Sequence, residues 1–194
     1  MTAPAREIEL KFLLAREDAE ALLAALPPGE TAVKDMVAVY YDTADGRLGR
    51  GGFGLRVRRT GERRIQTLKS ALGEDGGRDE WEWPVATDVP DQALLAGTPA
   101  ALPPGAVLEA KFTVTIRRTV RVVEEGEARI EIALDDGMVE AAGRREAIFE
   151  LELELLSGPA EALGRLAARL GEHVRLTPGA ITKAGRGFRL LAGT

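Results

Sequence analysis

The chain has no cysteine and one histidine, His173, in 194 residues. Without cysteine there is no disulfide framework, no thiolate-ligated zinc and no thiol nucleophile. A lone imidazole has no second histidine or cysteine to form a catalytic pair, so His173 reads as a surface or capping residue after a helix. Aromatic residues make up only 5%, which leaves no evident stacking platform for an organic ring. No apolar run approaches the length of a membrane span, and the opening MTAPAREIEL lacks the apolar segment of a secretory signal. Dense Lys/Arg tracts are also missing, and 26 basic against 31 acidic side chains leave a net charge of −5. That balance argues against a nucleic-acid partner or an anionic membrane surface. With no repeat and no low-complexity linker, one cytoplasmic domain over residues 1–194 is expected.

What is present is alternation. Eight stretches read as strands: 7–14, 37–41, 53–59, 64–68, 79–85, 107–123, 129–134 and 148–156. Residues 16–26 read as a helix stopped by Pro27, and 157–161 (SGPAE) as a helix start with Ser157 as its cap, followed by Leu163, Leu166 and Leu170 on one face. A last helix is expected within 178–191, weakened by Gly179, Gly185 and Gly187. Gly49 to Gly52 lacks the strand-to-helix setting of a phosphate loop and reads as a turn.

The polar faces of the strands are unusually charged. Glu150, Glu152 and Glu154 oppose Phe149, Leu151, Leu153 and Leu155, while Glu7, Glu9 and Lys11 oppose Ile8, Leu10 and Phe12. Arg56 and Arg58 oppose Phe53, Leu55 and Val57, Glu80 and Glu82 oppose Trp81 and Trp83, and Glu131 opposes Ile130, Ile132 and Leu134. A solvated antiparallel sheet explains any one such face. Taken together, like charges at i and i+2 repel and call for compensation. Strands curled around an anionic ligand and bound cations would supply it, with apolar faces outside under helices and Trp81 and Trp83 in that outer core. On this reading the carboxylates crowd one another, and Glu152→Gln is expected to leave the metal-free protein as stable or more so.

Glu7-Ile8-Glu9-Leu10-Lys11 resembles the signature of the CYTH family, the triphosphate tunnel metalloenzymes. The resemblance continues in order through YYDTADGRL (40–48), GFGLRVR (52–58), TLK (67–69), RDEWEW (78–83), IEIALDDG (130–137), ELELELLSG (150–158) and TKAGRGF (182–188). It is strongest to the bacterial inorganic triphosphatase branch, whose domain is often followed by a helical CHAD domain, absent from this chain. The resemblance implies an α+β fold: a closed eight-stranded antiparallel barrel forming a tunnel with a charged interior and helices packed outside. It implies hydrolysis of inorganic triphosphate to pyrophosphate and phosphate with Mg²⁺ or Mn²⁺, two ions per site.

Carried over by position, Lys11, Arg56, Arg58, Lys69, Arg78, Arg118 and Lys183 would hold phosphate oxygens, with Arg186 a lesser candidate. Glu7, Glu9, Glu150, Glu152 and Glu154 would ligate the cations, which prefer carboxylate and water oxygens. Glu80, Glu82, Glu131 and Asp135 would serve the second ion and the attacking water. One departure is visible: relatives often carry Lys-x-Arg where this chain has Ile116-Arg117-Arg118. Alternation puts Arg118 with Val114 and Ile116, so either a bulge turns Arg118 inward, the favoured assignment, or Arg117 takes its place. Thiamine triphosphatase, class IV-type adenylate cyclase and a non-catalytic polyphosphate- or nucleotide-binding module are the alternatives on the same scaffold.

Overall fold

A computed structural model describes residues 3–73 and 76–193. Eight antiparallel strands close on themselves: β1 (Ala5–Leu13), β2 (Thr31–Thr43), β3 (Gly54–Thr60), β4 (Arg63–Lys69), β5 (Gly77–Pro84), β6 (Leu108–Glu125), β7 (Ala128–Ala141) and β8 (Arg144–Ser157). Their order is β5-β4-β3-β2-β6-β7-β8-β1, and the β1–β5 pairing completes the ring. A two-residue strand, β9 (Thr177–Pro178), adds to the end of β1. The helices are α1 (Ala19–Ala25), α2 (Arg47–Arg50), α3 (Glu161–Gly171) and α4 (Lys183–Ala192).

Closure requires every strand to face inward with one side chain in two. The outward residues of β1, β7 and β8 form one apolar layer, with Ile130, Ile132, Leu151 and Leu153 buried against Leu22 of α1 and Leu163, Leu166 and Leu170 of α3. Leu55, Val57, Leu68 and Trp81 form a second outer layer. Its cover is Leu48 of α2 and the segment carrying Leu95 and Ala100, which contains only a 3₁₀ turn at Gln92–Leu95, so Trp81 lies under a loop and not under the expected helix.

A third apolar cluster was not expected. Met36, Ala38, Tyr40, Phe112, Val114, Ile116, Val139 and Ile148 lie on the inward side and pack against Ala184, Phe188, Leu190 and Leu191 of α4. The inward face is therefore apolar toward one end of the barrel, where α4 caps it, and charged beyond. Gly187 permits this fit, because a Cβ there would collide with the Phe112 ring.

Element bounds moved for identifiable reasons. β2 begins six residues before the expected Val37, because its first half is exposed and carries no apolar alternation. β7 runs through Asp135-Asp136-Gly137, a sequence that reads as a turn. Gly137 is needed there for close approach, since a Cβ would strike the Thr115 carbonyl. Ser157 ends β8 and does not cap a helix; α3 starts at Glu161 behind Ala160, with no side-chain cap.

Candidate active site

The barrel encloses a cavity of about 570 Å³. Strand order divides its wall in two. Adjacent strands β2, β3, β4 and β6 contribute Arg56, Arg58, Lys69 and Arg118, with Lys34 and Arg63 farther out; β1, β5, β7 and β8 contribute Glu7, Glu9, Glu80, Glu82, Glu131, Glu152 and Glu154. Lys11 and Arg78 are the cations set among the acids.

Beneath the acidic wall lies a compensated cluster. Asp135, Glu150 and Glu152 offer carboxylate oxygens within 4.8 Å of one another. Three cations answer them at 3.0 Å or less. Arg118 makes a forked pair with Asp135, both contacts at 2.7 Å, and reaches Glu152 at 2.6 Å. Lys11 lies 3.0 Å from Glu150 and 2.9 Å from Glu152. Lys183, delivered by the first turn of α4 behind the Thr182 cap, lies 2.7 Å from both Asp135 and Glu152 and 2.5 Å from Glu150. Burial by itself raises the Glu152 carboxyl pKa, yet Lys183, Lys11 and Arg118 hold it well below the usual carboxylate range. Lys183 is correspondingly pushed up against the effect of its own burial by Glu152, Asp135 and Glu150.

The next level behaves differently. Glu7 is gripped by Arg78 and by Lys69 at 2.5 Å; burial opposes its ionisation, but these cations bring it down to about 2. Arg78 also holds Glu9 at 2.7 Å. Glu9 faces Glu154 directly across β1–β8, and Glu154 faces Glu131 directly across β7–β8. Three carboxylates thus stand in one row, an arrangement that costs stability unless positive charge joins it. Burial, followed by Glu7, pushes Glu154 up to about 7, and burial with Glu152 raises Glu9. Glu154 has no ion-pair partner among the described residues. Hard oxygen donors in excess of their counter-charges fit a divalent cation. The Asp135, Glu150 and Glu152 cluster is tighter, but its charge is already matched.

The opposite wall has the complementary imbalance. Arg56 is half-buried beside Tyr40, and its buried Nε has no hydrogen-bond partner. Arg58 is brought down to about 10, first by the adjacent Arg56 and then by burial. Its contact with Glu82 is long, at 3.4 Å.

Arg118 reaches the interior by simple alternation, with no bulge at that point in either β6 pairing, and Arg117 points outward beside Asp35 with 69% of its side chain exposed. The structure brings Glu80 and Glu82 to the cavity, Glu80 lying 3.2 Å from Lys69. Asp135 and Glu150 lie fully buried below it. Arg186 bonds Glu146 and also lies 3.5 Å from Glu150, on the side of the cluster away from the cavity lining. Three features were given no role by the sequence reading: Tyr40 and Asp42, which entered it only as members of the YYDTADGRL stretch, and the alignment of Glu9, Glu154 and Glu131 in one row, which exists only through register. Asp42 is fully buried and accepts backbone N–H bonds from Thr43, Leu48 and Gly49 at 2.7, 2.8 and 2.9 Å, which sets α2 against one end of the cavity.

A charged barrel with two unbalanced walls has a counterpart among known proteins: the model of the CYTH domain matches residues 5–188. The chain belongs to the CYTH family. Its sequence is 31% identical over 156 residues to the inorganic triphosphatase of Haemophilus influenzae, an alignment spanning 78% of this chain and 44% of that protein. Solved structures superpose over most of the chain. HpAC1 of Hippeastrum, a candidate adenylyl cyclase described as having a dominant triphosphatase activity, aligns with a TM-score of 0.68 and 20% identity over 97% of this chain and 95% of its own. A candidate adenylate cyclase from Bacillus halodurans aligns with a TM-score of 0.59 and 20% identity, covering 91% and 95%. No helix among the described residues is long and apolar enough to cross a membrane.

Proposed function

We propose that this CYTH barrel hydrolyses inorganic triphosphate to pyrophosphate and phosphate with the help of Mg²⁺ or Mn²⁺, in the cytoplasm. The observation that carries the reading is the pair of facing, oppositely unbalanced walls. Arg56, Arg58, Lys69 and Arg118 would receive phosphate oxygens, the guanidiniums as forks and the ammonium as a point charge. A polyanion relieves the repulsion between Arg56 and Arg58, so binding energy is available where the fold leaves positive charge unmet.

Glu9, Glu154 and Glu131 would hold the divalent ion, with Glu152 and Glu7 at the edges of that row. The ion, when bound, supplies positive charge for the phosphate oxygens and acidifies the attacking water. Glu80 and Glu82, at the far margin of the acidic wall, would orient that water toward the terminal phosphorus. Lys11 and Lys183 act one step back, keeping Glu152 ionised and in place. Breaking the terminal P–O bond transfers the electron pair to the bridging oxygen of the pyrophosphate, whose charge the Arg wall stabilises.

A second reading has one observation in its favour. Phe53, Ala71 and Leu72 line the cavity near Gly54, and Leu72 is 56% exposed. Such an apolar mouth suits the organic group of thiamine triphosphate or ATP. The test is a phosphate-release panel of inorganic triphosphate, ATP, thiamine triphosphate and pyrophosphate with each metal, together with a cyclic AMP assay. Inorganic triphosphate should exceed the others by at least about tenfold in kcat/KM, a difference of ~1.4 kcal/mol. Faster turnover of an organic triphosphate, or cyclic AMP formation, overturns the choice.

A further inference from the structure

The barrel wall is uneven in height. β2 pairs with β6 from its first residue, Thr31 against Arg121, but β3 reaches only to Met36, where Thr60 is its last partner. Thr31 to Asp35 therefore have β6 on one side and, among the described residues, no strand on the other. All five are exposed, Val33 at 52%. Over about 16 Å, at ~3.3 Å per residue, the outer row of backbone N–H and C=O groups has no ladder to join.

Edges of this kind are usually guarded by a bulge, a proline or clustered charge. The short edge of β6 on its β7 side is guarded in that way. Pairing to β7 starts at Thr113, and the residues before it carry Glu109, Lys111 and the register shift opposite Tyr40 and Tyr41. Thr31 to Asp35 have neither a register shift nor a proline. Lys34 lines the cavity, so Thr31, Val33 and Asp35 alternate with it on the outward face.

The residue order fits a second copy of itself. Directly opposed side chains of an antiparallel pair share a face, so a two-fold axis between two such strands passes through a residue and not between residues. An axis through Lys34 sets lysine against lysine, which is unfavourable. An axis through Ala32 places Lys34 and Asp35 opposite residues that precede the strand. An axis through Val33 uses all five: Val33 meets the partner's Val33, Ala32 the partner's Lys34, and Thr31 the partner's Asp35. That register has an apolar contact at its centre and opposes no like charges.

We propose that this edge joins two copies of the chain into a reversible dimer, β2 to β2, centred on Val33. Because Lys34 lines the outer end of the cavity, the two cavities open side by side in the dimer. The inference is independent of the triphosphatase reading. Five residues a side fall short of a standard interface, so the expected Kd is in the range of about 1–100 µM.

Sedimentation equilibrium from about 1 to 300 µM protein brackets that range. Val33→Glu, which sets two carboxylates face to face at the axis, should weaken association by at least about tenfold, whereas Val33→Ile should preserve it. The absence of native cysteine allows the register to be read directly. In Val33→Cys the two thiols are opposed, with Cα atoms about 4.5–5.5 Å apart, and mild oxidation should link the copies. In Asp35→Cys the thiols lie two residues either side of the axis, roughly 14 Å apart, and should not link. Wild type that stays monomeric throughout overturns the inference, whether the edge is left to solvent or to another extended chain. So does a dimer that Val33→Glu leaves intact, which places the contact elsewhere. Linking of Asp35→Cys as readily as Val33→Cys marks random collision and overturns it too.

Discussion

Glu152 and Glu154 point the same way from one strand, yet their electrostatic situations are opposite. Glu152 has three cations within ion-pair distance, while Glu154 faces Glu9 and Glu131 with none. The alternation of β8 displays both equally and cannot tell them apart, so the expectation that Glu152→Gln is harmless to the metal-free protein is replaced. That change leaves Lys11, Lys183 and Arg118 short of a buried partner and should destabilise the protein by about 3–5 kcal/mol. Glu154→Gln should do the reverse. Its folded value of about 7 lies above that of an unfolded carboxyl, so its contribution is complete below about pH 4 and is lost as pH rises through 7. The metal-free protein should therefore lose stability between about pH 5 and pH 8, and Glu154→Gln should recover about 1–3 kcal/mol of it at the higher pH. Urea denaturation in EDTA at the two pH values checks both changes, and equal behaviour of the two variants would refute the contrast. On the facing wall, Arg56→Ala should raise KM and lower kcat together, because its charge serves both binding and the developing negative charge. Arg175, on the exposed surface after α3, is a suitable control; Arg16 is not, since it pairs with Asp136 and lies over the Phe149 ring.

At the scale of elements, α4 does two jobs at once: its apolar side closes the inward cluster, and its first turn carries Lys183 to the buried carboxylates. Gly187→Ala should force the helix off Phe112 and cost about 1–3 kcal/mol as an overpacked contact, with a fall in activity because Lys183 moves with it. Gly164→Ala in α3 is the internal comparison: nothing lies within 4 Å of its Cβ position, and the helix should gain about 0.5–1 kcal/mol. Thermal melts and phosphate release on the two variants read out both statements. Of the three glycines that weaken the helical pattern of 178–191, a Cβ would collide only at Gly187; at Gly179 and Gly185 it would meet side chains at 3.1 and 3.2 Å, a difference that only packing reveals. The β7–β8 hairpin shows the same limit. Asp135-Asp136-Gly137 looks like a turn, but thirteen consecutive β6–β7 pairings pass through it, because the gain from continuing the ladder outweighs local turn preference.

For the molecule as a whole, most apolar contact lies outside the barrel wall, and the inward cluster under α4 is the part that adjoins the charged interior. The two outer layers are built from aliphatic and aromatic side chains, so removal of divalent ions should leave the barrel folded and stop the proposed hydrolysis. Circular dichroism and phosphate release in excess EDTA measure the two halves of that expectation; loss of the β signal would show that the acidic row needs an ion to fold. Metal and triphosphate together should raise the melting temperature more than either alone, since each supplies the charge the other's wall lacks.

What the amino-acid order determined unaided was the set of strands, the outer apolar layers and the shared face of the paired charges on β1, β3, β5 and β8, because these follow from a period of two that each segment carries within itself. Family resemblance added closure into a barrel. The tertiary structure alone decided which carboxylates share cations and which face one another. Glu9, Glu131 and Glu154 come from segments far apart in the chain, and their alignment is a matter of register. Register is set by the summed packing of whole strands and of α3 and α4 upon them, a quantity no single segment encodes.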